Sequence, residues 1–507
     1  LARTAAGSML TVHPVFLSSS PPSVAATYLA QTHVLTPDSP YFKLVGGRPA
    51  LLKVQLTGSG SSPGVSATVT ARSEETMTLT LTGPNTLSSF WNGEPGQVEH
   101  KFDDSFTAII PAEWVAHGMR IEVHADGKSL AQYELAVGAP SAMRMLMFDV
   151  HYFGTGSGDY PSGWEAELAS KWPVASFTVQ RIRGLQFNEM VIPARPDVGA
   201  PAVRVHSQLD YKRQTTLHFD GEQSAALQWV WALSRAGGNQ DTQMCYVNIL
   251  GVPAGGQAGG FNGVGAPSTG VLNHELGHAF SLPHWGDIPG YPYHGDMYGI
   301  VAPGYHADRS IEAHVGPTWA FDLPTMTFLP PTCAVNDPTL GQCNPRILAA
   351  GETSPDFVYK SSPMQGGGSG DQPAPFLFRH FSDYGVRQMR DYIEGKLAVK
   401  DVGGSWKLWD DQAGAYSKHA PSVAGRYPIA ETAVISLMAS CTLAGNNVSM
   451  VYPPIGPYVA GLTRLYDATN PTDREDAKQS RYCPSEGCDF SLRAQQANTV
   501  TVYILPA

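Results

Sequence analysis

His274-Glu275-Leu276-Gly277-His278-Ala279-Phe280-Ser281-Leu282-Pro283-His284 is the stretch on which the reading of this chain turns. Its first two histidines stand four residues apart, and on a helix positions i and i+4 share one face, so both imidazoles reach one point in space. The spacing predicts a helix opening around Val271, after a Gly-rich approach over 251–270. Pro283 stops that helix and lets the chain turn back, which makes His284 the expected third member of a metal site. Three neutral imidazoles leave a fourth tetrahedral position open, the mark of a catalytic zinc site as opposed to a closed structural one. Glu275 stands next to the ion without ligating it, where it can take a proton from water and pass it to a leaving group. Asp287, His294, His306 and Glu312 are the other nearby residues with ligating chemistry, each on a longer and less constrained loop. A bare pair of histidines with a glutamate can also be a hydrogen-bonded helix face; His284 is what tips the balance toward a metal.

Working outward, residues 143–150 form a nearly continuous apolar run, the pattern of a strand buried on both faces. Strands over 177–179 and 190–192, a helix over 223–235 and a strand over 245–250 follow, an order that reads as α/β or α+β. A last helix is expected over 383–394, with Ser382 as its N-cap. Before this unit, short period-two runs (51–56, 76–82, 119–123) separated by turn residues argue for one or two β-sandwiches. After it, the patterning returns to β-type and ends in 499–505. The expected architecture is therefore multidomain: an N-terminal β-sandwich region over 1–140, a central α/β zinc-site domain over 141–400, and a small C-terminal β domain over 401–507.

Composition narrows the function classes. The chain has 507 residues, more than one ordinary core can serve, and a formal net charge of −11 with 15% charged residues. No basic surface suited to a nucleic acid backbone is advertised. No run approaches the roughly 18 apolar residues of a membrane helix, so no membrane span is expected. Six cysteines, at 245, 333, 343, 441, 483 and 488, form no C-x-x-C pair. Cys333 with Cys343 and Cys483 with Cys488 each close a short loop, which suits disulfides in an exported protein. The first residues carry no charged and then apolar leader, so export is expected from composition alone.

Downstream, Ser361-Ser362-Pro363-Met364-Gln365-Gly366-Gly367 places a methionine between proline and glycine shortly before the last helix. With it the chain resembles the metzincin metallopeptidases, whose pattern is H-E-x-x-H-x-x-G-x-x-H followed by a Met-turn. The resemblance implies that Met364 floors the metal site. Ser281 departs from the pattern, standing where that family has a glycine suited to a left-handed turn, so the local backbone is expected either to differ there or to carry strain of about 1 kcal/mol. More narrowly, over 140–400 the chain resembles the StcE-type mucinase family, which includes dictomallein and related secreted bacterial proteases. That likeness rests on Trp172-Pro173-Val174, Asn273 to His278, Thr318-Trp319-Ala320-Phe321-Asp322, the Cys333/Cys343 loop and Met364. It implies a β-type N-terminal domain ahead of the zinc protease domain and cleavage of heavily O-glycosylated proteins. Trp285 and Trp319 are the candidate substrate-contacting aromatics, although packing in a core accounts for either ring as well.

The expected function is a secreted zinc endopeptidase acting on extracellular, O-glycosylated proteins. A zinc-dependent hydrolase of glycans would produce no new amino termini. A glycan-binding adhesion protein with an inactive metal site would have no need of Glu275, and the intact glutamate counts against it.

Overall fold

The computed structural model describes residues 20–93, 98–154, 156–192, 198–214, 221–236, 243–252, 254–294, 313–334, 357–365, 376–400, 405–420, 432–442, 448–460, 470–472 and 487–495. Most of its regular structure is β-sheet, with few helices, in a multidomain-like arrangement.

Two four-stranded antiparallel sheets form the N-terminal part. One sets Ala50–Thr57 between Ser23–Ala30 and Phe106–Ile110; the other sets Val65–Thr70 between Thr76–Thr80 and Arg120–Ala125. Alternation does the work expected of it, since Val65, Ala67 and Val69 turn inward while Ser66, Thr68 and Thr70 stay half-exposed. Leu52 and Val54 of the first sheet meet Val69, Ile121 and Val123 of the second in one shared core, so this is a single sandwich. Ala50–Thr57 is buried along nearly its whole length because its other face is covered too. There Leu51 packs on Phe321, from the hairpin Ala320–Asp322/Thr327–Leu329.

The central unit is a five-stranded sheet in the order Ser176–Phe187, Ala142–Tyr152, Gln243–Leu250, Asn262–Gly265, Gly256–Gly259. The first four strands are parallel, and Gly256–Gly259 runs antiparallel along the edge. The apolar run at 143–150 is now explained. Met143, Met145 and Met147 face one core, under the helices Trp164–Lys171, Thr269–Ala279 and Asp383–Lys396, whereas Leu146, Phe148 and Val150 face a second. The helix Gly221–Ala236 covers that second core. So do Met438, Met450, Tyr452, Ile455 and Tyr458, which means the strands after residue 431 bury their apolar side chains on the back of the central sheet.

The sandwich is joined to the central unit through buried polar contacts. Arg48, 5% exposed, donates to the carbonyls of Trp172, Val174, Ser170 and Gln31 at 2.5–3.1 Å. Two of those acceptors lie at the C-terminal end of the helix Trp164–Lys171 or just past it, where carbonyls lack intrahelical partners. Lys43 adds a buried ion pair with Glu394 of the last helix.

Among the described residues, no helix is long and apolar enough to cross a membrane. Cys245 sits fully buried in the central strand. Cys488 stands opposite Cys441 in the pairing of Thr432–Thr442 with Gly487–Gln495. Cys343 and Cys483 lie outside the described residues, and with them both expected cysteine loops; so does the expected strand at 499–505.

Candidate metal centre

The motif helix spans Thr269–Ala279. Leu272, Leu276 and Ala279, all at 0% exposure, bury its inner face against the central core, which leaves His274 and His278 together on the face toward solvent. After the helix, Ser281 takes a left-handed φ of 65°, and the amides of Ser281 and Leu282 bond back to the carbonyls of His278 and Gly277. That reversal brings His284 up beside the helix.

The three imidazoles converge. Nε2 of His274 lies 3.1 Å from Nε2 of His278 and 3.1 Å from that of His284, and the last pair is 3.0 Å apart. The opposite nitrogens determine what these contacts mean. His274 Nδ1 donates to the carbonyl of Pro363 and His278 Nδ1 to that of Leu282, each at 2.7 Å. A neutral ring that donates from Nδ1 has only a lone pair at Nε2. Two such lone pairs at 3.1 Å repel unless a cation lies between them, and the spacing approaches the ~3.3 Å edge of a tetrahedron with metal–nitrogen bonds of 2.0–2.1 Å. Burial lowers the pKa of His274 and takes His278 down to about 4, which keeps both rings in the neutral, ligating form. The donor set thus fits a zinc ion held by His274, His278 and His284, the only such cluster among the described residues.

Glu275 lies on the same helix, 5% exposed, and one oxygen, Oε2, has no hydrogen-bond partner among the described residues. Burial pushes its carboxyl up to about 8 in the protein alone; a nearby divalent cation opposes that shift. The edge strand confines it. A Cβ added at Gly256 would overlap the Glu275 side chain, so glycine there makes the space the carboxylate occupies.

Met364 is fully buried below the helix. A Cβ added at Gly277 would overlap its sulfur, so the glycine inside the motif lets helix and methionine approach. The turn carrying Met364 serves the site twice more through its backbone: Pro363 holds His274, and the Met364 carbonyl accepts from the amide of Trp285 at 2.6 Å.

The two tryptophan rings occupy packing positions. Trp285 is 4% exposed, its ring stacked on Tyr291 at 4.9 Å and bounded by Tyr384, a packing position. Trp319 lies with the sandwich, where its ring meets His100 and its carbonyl accepts from Val34. His294 directs Nε2 to the carbonyl of Trp285 at 2.9 Å. His306, Glu312 and the side chain of Asp287 lie outside the described residues. What the motif alone does not reveal is the supporting set: the carbonyls of Pro363 and Leu282, Gly256, and Asn273, whose buried amide donates to the Arg379 carbonyl at 2.8 Å. Gly277 within the motif was the one visible signal of close packing.

Comparison with known proteins bears on this geometry. The profile of the peptidase M66 family matches residues 97–398, more than half of the chain. Dictomallein of Burkholderia mallei (strain SAVP1) is 26% identical over 449 residues, a match covering 79% of this chain and 61% of dictomallein. The figures are the same for dictomallein of Burkholderia pseudomallei (strain K96243). Dictomallein-1 of Dictyostelium discoideum is 25% identical over 435 residues, covering 78% of this chain and 69% of that protein. The chain thus spans about three-fifths of the length of the bacterial relatives it matches.

Proposed function

Because this chain belongs to the peptidase M66 family of metallopeptidases, we propose that it is a secreted zinc endopeptidase that hydrolyses peptide bonds in O-glycosylated, mucin-like proteins. The observation that carries the reading is the pair of backbone-anchored Nδ1 atoms, which commits the Nε2 lone pairs of His274 and His278 to one point shared with His284. When bound there, zinc acidifies water and polarises the scissile carbonyl. Glu275 supplies the proton movement: held between helix and edge strand, its carboxylate takes a proton from the attacking water and returns it to the leaving amine. Burial favours the protonated form of this carboxyl and a bound cation the ionised one, opposing pulls that suit a group that must both accept and release.

Substrate placement follows from the sheet. Gly256–Gly259 ends the sheet, and no strand pairs with its outer side among the described residues. An extended peptide can add there as a further strand beside Glu275. The mixed sheet, the motif helix beneath it and the Met364 floor support describing this unit as metzincin-like. The O-glycoprotein substrate class and secretion rest on the resemblance to the StcE-type family and on the cysteine pattern.

The test is mass spectrometry of a mucin-domain glycoprotein and its deglycosylated form after incubation with the protein, with and without a zinc chelator. Chelator-sensitive cleavage of the glycosylated form alone supports the whole proposal. Cleavage of both forms keeps the peptidase and removes the glycan requirement, and cleavage of neither sinks the reading.

A further inference from the structure

Beneath the edge hairpin, one phenol stands where packing alone asks for a phenylalanine. Tyr246, fully buried, lies in the strand Gln243–Leu250 with Gly263 of Asn262–Gly265 as its direct partner. Its ring runs under two glycines of that neighbouring strand: a Cβ added at Gly263 would meet the ring edge at 3.0 Å, and one added at Gly265 would meet the hydroxyl at 2.7 Å. The ring shares its core with Leu272, Leu276 and Ala258. Its hydroxyl has no hydrogen-bond partner among the described residues. A buried O–H in that state is costly, and phenylalanine would fill the same space without the cost.

Two routes lead from this hydroxyl to Glu275. Along the hairpin, Gly265 is the direct partner of Gly256, and the Cβ positions of directly opposed residues lie about 4.5–5.5 Å apart on one face. The position at Gly265 meets the Tyr246 hydroxyl, and the position at Gly256 meets Glu275 Oε1 at 2.5 Å. Along the motif helix, the Gly265 position also meets Val271 Cγ1 at 2.6 Å, and Val271 stands four residues before Glu275 on the same helix face. Phenol and carboxyl thus face one space, roofed by two glycines and walled by one turn of helix. Glu275 Oε2 is likewise buried and without a hydrogen-bond partner among the described residues. Burial, then the neighbouring Tyr160 and Glu275, hold the phenol well above its usual titration range, so it keeps the proton that it can donate.

We propose that Tyr246 is a positioning residue for peptide hydrolysis, its hydroxyl donating to a buried water that in turn donates to Glu275 Oε2. The two glycine positions stand about 5 Å apart, the span of one water with an O–H···O bond of about 2.8 Å on either side. Held through Oε2, the carboxylate keeps its other oxygen for the proton of the attacking water. The role rests on Glu275 being the base.

The test compares kcat and KM of the zinc-loaded protein on one cleavable peptide for the wild type, Tyr246→Phe, Glu275→Gln and the double variant, with enzyme in excess where turnover is slow. Tyr246→Phe should lower kcat by roughly 10–100-fold while KM and zinc content stay unchanged. It should add nothing to the loss already caused by Glu275→Gln, because a hydroxyl that acts through the base has nothing to act on once the base is gone. An unchanged kcat overturns the proposal, as does the same fold-loss in both backgrounds, the mark of a ring that only packs. Full activity of Glu275→Gln removes the base itself and this role with it; full activity of Tyr246→Phe beside an inactive Glu275→Gln removes this role alone. If Tyr246→Phe does not fold, a crystal structure of the zinc-loaded wild type decides. Water within hydrogen-bond reach of both Tyr246 Oη and Glu275 Oε2 supports the proposal. A phenol without that water, or one bonded instead to the Gly255 carbonyl, which lies 3.1 Å from the Gly265 Cβ position, overturns it.

Discussion

Each residue around the metal centre makes a separable demand. Glu275 moves protons and holds no metal in this reading, so Glu275→Gln should leave zinc stoichiometry intact and lower turnover by roughly 10²–10⁴-fold. Turnover at the wild-type rate, followed on any cleavable peptide, would remove its role as base. His284→Ala should instead lower the zinc content found after dialysis; full retention would hand the third position to another ligand. Ser281 is a serine in a glycine position, where the sequence left open a different backbone or a strained left-handed one, and the structure has the second, at φ 65°. Ser281→Gly should relieve that strain and raise stability by about 0.5–1 kcal/mol, read from urea unfolding. A destabilised variant would mean that the left-handed backbone at 281 carries no such strain.

At the level of elements, the motif helix is held from behind by a relay of packing. Arg48 binds the Trp172 carbonyl, the Trp172 ring meets Phe280 edge-on at 5.2 Å, and Phe280 follows the helix that carries the histidines. Arg48→Met should strand several buried carbonyls and cost on the order of 3 kcal/mol in unfolding free energy. A change below about 0.5 kcal/mol would show the contacts to be replaceable by water. What sequence reading captured here was local. The i, i+4 histidines, the helix at 383–394 with Ser382 accepting from Gly385, and the two-faced strand at 143–150 each depend on neighbours within a few residues. Arg48 does not. It reads as a charge in a turn between Gly47 and Pro49, and its acceptors at Ser170, Trp172 and Val174 lie more than a hundred positions away. Trp319 misleads for the same reason in reverse: closeness to the motif along the chain says nothing about closeness in space, and the ring belongs to the sandwich. The strands after 431 read as a separate small domain because alternation looks the same whichever surface it covers, yet their apolar side chains complete the core behind the central sheet.

Across the whole molecule, buried histidines set an acid limit. Burial depresses His278 to about 4 and His100 to about 3, and lowers His33, His274 and His380 as well. In the unfolded chain the same side chains titrate near 6.5, so between that pH and the folded values the unfolded state binds more protons. The contribution of these rings is therefore fully present above about pH 6.5 and is lost as the pH drops toward 4, with the raised Glu275 carboxyl opposing it in part over the same window. Urea unfolding of the metal-free protein across that window should show the decline, and a flat profile would contradict the burial of these rings. The anchoring of the candidate metal ligands also bears on how such a protein can diverge. His274 and His278 are oriented by main-chain oxygens, those of Pro363 and Leu282, and every amino acid possesses such an oxygen. Mutation can alter the side chains at those two positions without altering the acceptor. A lineage built this way can lose nearly all resemblance around its ligands and still present them at the same angle, provided the turns keep their shape.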